Sequence, residues 1–512
     1  NFKSGSTLTA AHGSAITGTG ASTFFAGSTL TLNGTVTKND TATDLNTDSN
    51  LVFSLGGAHD GFLNITGGTT TVQNGVNVSF DIADPAAISD GDTFTLITRS
   101  AGTNLDAAGL FDLQSGGLLR YTNASTAGSL IVSVNFRGAG DFGLTGNAAA
   151  VMPALVQTAR NDTALFNAIN GFSDSQIATL AGQAAQTPTA EAIVLTASQT
   201  VTQDTAAARL ADLRTSEISG LSAGDRSGHG MNLWARALGN EQDQGAIGGI
   251  AGYAASAYGG MIGMDTNLAE NFALGLQLGY LDSHIDGDDS ANTNTDIDSY
   301  QIGLYSTYEP WRGKSGAALE KVYLDLMAGY GFNQNDTVNT LTGFGARNGT
   351  FDSRQIMGRA ELGVNGDLGG GFSLKPSASA QYTHVDFDSY TETGNTGLNR
   401  TIRQDDYDAL IVGADLALKY TVEMCDGGSF EPGIHVGVRH DLKDDAAAAT
   451  ASFAGGSAFS TNGLNPDDTS FVLGGGFALY GDDGVSLDAQ YEYESKDQYD
   501  SHAGMVELKL SF

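Results

Sequence analysis

After residue 230, apolar and polar residues alternate with a period of two along almost the whole chain. The last stretch, His502–Phe512, is the cleanest. Gly504, Val506, Leu508, Leu510 and Phe512 alternate there with polar or small Ala503, Glu507, Lys509 and Ser511. A period of two means a strand with one apolar face. A run of about ten residues is the length of a tilted strand that crosses a bilayer. A soluble strand alternates in the same way, so the remaining strands decide between the two.

Twelve strands are predicted, near 231–240, 253–266, 271–284, 296–309, 320–334, 352–366, 371–387, 404–420, 430–442, 468–481, 484–495 and 502–512. One face carries residues such as Phe272, Leu274, Leu278, Ile302, Leu326, Val436, Phe471 and Leu473. The opposite face carries glycines and ions of both signs, among them Arg236, Asp325, Arg359, Glu361, Asp415, Arg439 and Glu492. A soluble barrel buries its interior and wets its outside. Charges of both signs gathered with glycines on one face suit a polar lumen, and the other face then suits lipid. Long loops are expected after strands three, five, seven and nine, at Asp286–Asn294, Asn335–Thr350, Tyr390–Arg403 and Asp444–Pro466. Such alternation of long and short connections places the long ones outside the cell.

Upstream the pattern changes twice. Residues 1–145 hold short alternating runs rich in Thr, Ser, Gly and Asn, such as Ser28–Gly34 and Val76–Phe80. These predict an all-β stem, a stacked β-helix ahead of a small sandwich. Asp81, Asp84, Asp90 and Asp92 are expected at turns, where Asp caps its own backbone. Residues 146–188 turn to Ala, Leu, Gln and Thr, a helical linker with Ser173 as an N-cap and Pro188 as its break. From Thr189 to about Ser219 a single helix is predicted, within a 189–230 segment leading to the first strand. About 30 helical residues reach roughly 45 Å. Gln199, Gln203, Asp204, Arg209, Asp212 and Arg214 make this helix too polar for lipid. The two readings are a plug inside a water-lined barrel and an exposed linker helix.

Charge and composition narrow the function. The 24 basic residues face 58 acidic ones, a net charge of −34 that argues against nucleic-acid binding. The lone Cys425 excludes an internal disulfide. No apolar run approaches the length of a membrane helix, so a membrane location requires a closed barrel. The chain begins at Asn1, read as a mature or truncated fragment whose export signal lies outside it. Gly220-Leu221-Ser222-Ala223-Gly224, with His229 nearby, matches a nucleophile elbow. An elbow follows a strand and opens a helix, whereas here the order is reversed. The acidic run Asp282–Asp289 lacks the spacing of a calcium-binding hand and is read as a solvated loop. No catalytic, cofactor-binding or metal-binding set is assigned, and no cofactor is expected.

Leu233-Trp234-Ala235-Arg236 opens the predicted barrel, Tyr258–Asp265 fills strand two, Asn271–Tyr280 fills strand three, and Phe512 ends the chain. In this order, after a pore-length helix, they resemble the type Va autotransporters over the whole chain, most closely over about 190–512. The resemblance implies a mainly β fold. Its parts are a 12-stranded antiparallel transmembrane barrel (231–512), a pore-spanning helix, a helical linker, and the membrane-proximal β-helix end of a passenger. It also implies an outer-membrane protein that exports and anchors its own N-terminal passenger. Val506, Leu508, Leu510 and Phe512 would then form the assembly signal. The implied partners are the barrel assembly machinery, periplasmic chaperones, outer-membrane lipid, and a host or neighbouring-cell surface. Some members cut their passenger at an Asn-Asn pair within the pore. This chain has no Asn between Gly171 and Met231, so the passenger is expected to stay attached. An adhesive passenger is the expected reading. The alternatives are an anchor for an enzyme lying upstream, an outer-membrane porin or barrel enzyme, and a soluble multi-β protein.

Overall fold

The computed structural model describes residues 1–17, 19–187, 189–219, 231–313, 319–394, 397–424, 428–443, 446–480 and 485–510. The chain forms two compact units: Asn1–Ala185 with Ser452–Phe459, and Gln186–Ala451 with Ser460–Phe512.

In the first unit, every third strand pairs in parallel with the one a turn earlier, so three sheets stack around one core. One sheet holds Thr7–Ala11, Thr29–Asn33, Asn50–Leu55, Val76–Ile82 and Phe111–Leu113. This is the winding of a parallel β-helix. Leu30, Leu51 and Val78 lie in register and are fully buried, so each coil covers the apolar edge of the next. Thr7, Thr29, Asn50 and Asn77 are successive partners, at steps of 22, 21 and 27 residues. That unevenness hides the repeat. The winding ends where Asp92–Arg99 pairs antiparallel with Ser129–Phe136, which pairs antiparallel with Leu119–Asn123.

Of the four aspartates expected at turns, Asp84 caps the short helix Pro85–Ala87 and Asp92 accepts from Ser89 N at 2.7 Å. Asp81 instead lies within the strand Val76–Ile82. It continues the outward series Asn77, Ser79, Asp81, so alternation overrides its turn preference. Three helices follow: α1 (Gly146–Arg160), α2 (Thr163–Asn170) and α3 (Asp174–Ala184). Asp162 caps α2, and Ser173 caps α3 in a capping box with Gln176. The helices bury Leu155, Phe166, Ile169, Ile177 and Leu180. Arg137 holds Asp174 at 2.7 Å at the start of α3, and this contact keeps the Asp174 carboxyl below its ordinary range.

The second unit holds one long helix, α4 (Ala190–Ser219), and a barrel. Among the described residues its twelve long strands are β1 (Met231–Gln244), β2 (Tyr253–Ala269), β3 (Phe272–Gly287), β4 (Asn294–Arg312), β5 (Lys321–Leu341), β6 (Gly345–Gly369), β7 (Phe372–Phe387), β8 (Tyr407–Tyr420), β9 (Ser429–Asp441), β10 (Thr469–Tyr480), β11 (Val485–Lys496) and β12 (Tyr499–Leu510). Neighbours pair antiparallel throughout, and β1 pairs with β12 from Arg236 against Glu507 to Gln244 against Tyr499. That pairing closes the sheet and removes its edges.

The expected loop Asn335–Thr350 is not a loop. Strands β5 and β6 run on through it in unbroken register to Leu341 against Gly345. Its residues alternate, but between polar types: Asn335, Thr337 and Asn339 point inward and are buried. With no apolar face, the period of two carries no hydrophobic signal. The expected loop Tyr390–Arg403 also contains paired strands, Tyr390–Thr391 with Arg400–Gln404.

The barrel's faces are inverted relative to a soluble protein. Phe471 is 70% exposed while Asp325 is 0% exposed. Leu278, Ile302, Leu326, Ile434, Val436 and Leu473 are all exposed on the outside. Water would charge such a surface about 25 cal/mol per Å2; a bilayer removes that cost. No helix among the described residues is long and apolar enough to cross a membrane.

Candidate functional site: the occupied barrel lumen

Helix α4 is polar yet buried on every side. Thr196, Gln199, Thr202, Gln203, Thr205, Arg209 and Arg214 are all buried, although a helix with polar residues all round normally faces water. Its partners explain this. They lie on β1, β2, β4, β5, β6, β7 and β9, so the helix sits inside the ring of strands. Small residues such as Ala206 and Thr205 keep it narrow enough to fit.

The helix runs from the long-loop end to the short-turn end. Near its start, Thr295 at the outer end of β4 donates to Glu191 at 2.8 Å. Near its other end, Arg214 meets Thr307 and Asp325, and Lys321 Nζ donates to the Arg214 carbonyl at 2.5 Å.

Among the described residues, four ionic side chains of the helix fix it along this path. Asp204 takes Arg359 at 2.5 Å and Arg439 at 3.2 Å. Arg209 binds Asp265 through two contacts, 2.8 and 2.9 Å. Asp212 meets Arg236 at 3.0 Å, and Arg236 Nε also donates to Glu507 at 2.6 Å. Arg214 contacts both oxygens of Asp325 at 2.6 and 2.7 Å and lies 3.8 Å over the Tyr323 ring. Charges taken out of water must be matched in this way, because a lone one is expensive to bury. Between the ionic contacts, Val201, Leu210 and Leu213 pack on Trp234, Met261 and Met327 in an apolar belt.

The lumen wall is shaped by glycine at two tight points. A β-carbon on Gly275 would lie 2.1 Å from the Tyr305 ring, and one on Gly363 would lie 2.0 Å from the Tyr323 hydroxyl. Both tyrosines can therefore lie flat across the wall. Tyr305 then accepts from Trp234 Nε1 at 2.6 Å and donates to Asp265 at 2.9 Å, backing the Arg209 contact.

The structure groups the expected lumen residues into three sets. Arg359, Glu361, Arg439 and Glu492 gather around Asp204: Arg359 pairs with Glu361 at 2.9 Å, and Arg439 with Glu492 at 2.9 Å. Asp325 stands apart with Arg214, and Arg236 with Glu507 and Asp212. Asp415 lies on the same inner face, its carboxylate over Gly437. Asp265 was missed, although it ends the Tyr258–Asp265 marker; its inward phase in β2 was the available signal. Val506 faces outward, and Leu508 and Leu510 are register partners of Leu487 and Val485. Phe512, the Gly220–Gly224 elbow, His229 and Cys425 lie outside the described residues. The acidic run is not a loop for most of its length: residues 282–287 belong to β3. Asp286 is the register partner of Asn294 on β4 and accepts from its Nδ2 at 2.9 Å. Only Asp288 and Asp289 lie in the turn, where Asp289 accepts from Ala291 N at 2.7 Å.

At the outer mouth, the segment after β7 folds inward. Arg400, fully buried, binds Glu392 through contacts of 3.0 and 2.6 Å and donates to the Gln186 carbonyl at 2.6 Å. Arg347 approaches the same carboxylate at 3.4 Å. Burial alone would raise the Glu392 carboxyl. The charges of Arg400 and Arg347 and the hydrogen bonds from Arg400 outweigh it and hold the group below its ordinary value. A loop thus grips the chain just before α4.

The autotransporter beta-domain family profile matches residues 233–492. Outer membrane protein B of Rickettsia prowazekii is 26% identical over 373 residues, 69% of this chain and 22% of that protein. Outer membrane protein B of Rickettsia typhi is 25% identical over 483 residues, 87% of this chain and 28% of that protein. The chain thus spans about a quarter of the length of these relatives. The translocator domain of autotransporter NalP from Neisseria meningitidis aligns with 63% of this chain and 99% of its own, at 20% identity and a TM-score of 0.45. The barrel is an outer-membrane barrel, with its apolar face toward lipid. A closed twelve-stranded barrel, a helix held inside it by ion pairs from Asp204, Arg209, Asp212 and Arg214, and a family match over half of the chain together make this protein a member of the autotransporter family.

Proposed function

We propose that this chain carries its own N-terminal polypeptide across the outer membrane and then holds it at the cell surface. The observation that carries this reading is the direction of α4. Its first residues lie at the long-loop end of the lumen, and its last lie at the short-turn end. A polypeptide drawn outward through the barrel leaves its trailing segment in that orientation. The helix is then both the last part to move and the anchor.

The passenger's role on this reading is adhesion, without catalysis. Outward strand positions of the stem carry Thr, Ser and Asn, a polar surface suited to contact with another surface. An upstream enzyme carried on the same stem is the alternative. The partners follow from the route: periplasmic chaperones before insertion, the barrel assembly machinery at the β12 end, outer-membrane lipid around the wall, and another cell's surface beyond the stem.

The test is to place an epitope in the stem and stain intact cells, with and without residues 231–512. Surface staining only in the presence of the barrel supports self-export. Equal staining without it rejects the proposal.

A further inference from the structure

Two histidines far apart in the sequence meet face to face in the stem. His12 lies in the turn between the strands Thr7–Ala11 and Ala15–Thr17, and His59 in the turn after Asn50–Leu55. Their rings are parallel to within 7°, with centroids 3.7 Å apart, and both residues are exposed. A third turn, at Gly34, lies between them. Gly34 has a φ of +100°, and a β-carbon there would lie 2.6 Å from the His12 β-carbon. The glycine lets the two rings meet across its turn. Backbone bonds stitch the three turns together. Gly13 N donates to the Thr35 carbonyl at 2.9 Å, and Phe62 N to the Gly34 carbonyl at 3.1 Å.

His12 does more than stack. Its Nδ1 accepts from Thr35 N at 3.2 Å, which sets the ring neutral with its proton on Nε2. That arrangement argues against a metal ion. His12 could offer Nε2 to an ion only by moving its proton to Nδ1, against the Thr35 N–H. Parallel rings also aim their nitrogens side by side, whereas a metal needs them to converge. Among the described residues no third ligand joins the pair to hold a metal. The nearby charges are engaged elsewhere. Asp60 accepts from Gly56 N at 2.8 Å and Asp84 from Ala86 N at 3.0 Å. On the strands that flank the three turns the one charged residue is Lys38, buried against Asp40.

We infer that His12 and His59 form an acid-sensitive clasp. It holds the strands Thr7–Ala11 and Ala15–Thr17 to the following coils at neutral pH and releases them in acid. Histidine exchanges its proton between about pH 5 and 8. A proton on His12 Nδ1 removes the acceptor for the Thr35 N–H and points a donor at it. A proton on each ring then sets two like charges face to face, which repel even in water. The opened coil escapes both penalties, so acid favours it. Release uncovers the edge of Thr29–Asn33, now paired with Thr7–Ala11, and loosens the cover over buried Leu30 and Leu32. An uncovered strand edge is a template for pairing with another chain.

The test is hydrogen–deuterium exchange of the full chain in detergent micelles at about pH 7.5 and about pH 5, corrected for the intrinsic pH dependence of exchange. Peptides covering residues 7–17 and 29–37 should lose protection at least about tenfold in acid, from the lost hydrogen bond and the repulsion together. Peptides covering 50–55 and 76–82 should keep theirs, and they report that each variant is folded. In His12→Asn, whose Oδ1 still accepts from Thr35 N but takes no proton, protection should be equal at the two pH values. In His59→Phe, which stacks without charge, the acid loss should shrink. That variant decides the matter if H12N does not fold. An acid loss undiminished in either variant, or one of the same size in every peptide, would overturn the inference. So would zinc ions that raise protection of 7–17 at neutral pH, because the pair would then be a metal site.

Discussion

Arg209 on α4 and Asp265 on β2 face each other through two contacts, 2.8 and 2.9 Å long, with both side chains closed off from solvent. Nothing in their spacing of 56 residues announces this pair. It exists because the helix occupies the lumen at one height and rotation. Replacing Asp265 with Asn leaves the buried guanidinium with Glu507, 4.0 Å away, as its remaining ion-pair partner among the described residues, a loss of about 3 kcal/mol. The temperature at which the folded barrel converts to its slow-migrating form should fall. The swap Arg209→Asp with Asp265→Arg should recover part of it. A D265N barrel as stable as the parent would show that the helix is not seated as described.

Gly275 and Tyr305 make a second coupled pair. Gly275→Ala puts a β-carbon into the Tyr305 ring and pushes that ring off Trp234 and Asp265. The expected cost is about 1–3 kcal/mol, the usual price of overpacking. The same change in a Tyr305→Ala background should cost much less. Stability of the four proteins in a double-mutant cycle checks this, and equal costs in both backgrounds would refute the contact.

The outer mouth should loosen in acid. Glu392 has a carboxyl held below its ordinary value of 4.5. A depressed group stabilises fully above the unfolded value and loses that contribution as pH falls through the folded one. Cleavage of the 388–406 segment by an acid-active protease should therefore rise only as pH drops below the ordinary carboxylate range. In Glu392→Gln the cleavage should be high and flat over the same range. A steep pH dependence that survives E392Q would assign the acid response to another group.

Arg400 grips the Gln186 carbonyl just before α4, so Arg400→Met should free the segment upstream of the helix while leaving the barrel closed. Protease applied from outside should then cut near residue 186 faster than in the parent, with the same resistance to heat conversion. An unchanged cleavage rate would show that the loop does not restrain that segment.

Much of this architecture was legible in the alternation of residues. Strands such as β3, β9 and β10 declare themselves because one face is Leu, Val and Phe against lipid and the other is Gly, Gln and Arg. The helix shows through its small and polar residues after the break at Pro188. The outer extensions of β5 and β6 do not show, because both of their faces are polar and the hydrophobic period vanishes. The stem's coils are blurred by turns of unequal length between Thr29, Asn50 and Asn77. The ionic residues were visible as one inward face, but not who meets whom. Pairing Arg214 with Asp325, or Asp204 with both Arg359 and Arg439, depends on helix height and rotation inside a closed ring. No local pattern encodes that.

Helix α4 threads the barrel from its long-loop end to its short-turn end, and self-export would leave the stem outside. The most direct measurement is to treat intact cells with an external protease and weigh the fragment left in the outer membrane. A protected piece that begins close to the start of α4, between residues 186 and 200, and runs to Phe512 is expected. Untreated cells should show the uncut chain, the stem still attached. A protected fragment that begins after residue 230 would mean that the helix is not in the lumen, and a chain that resists the protease along its whole length would mean that the stem is not outside.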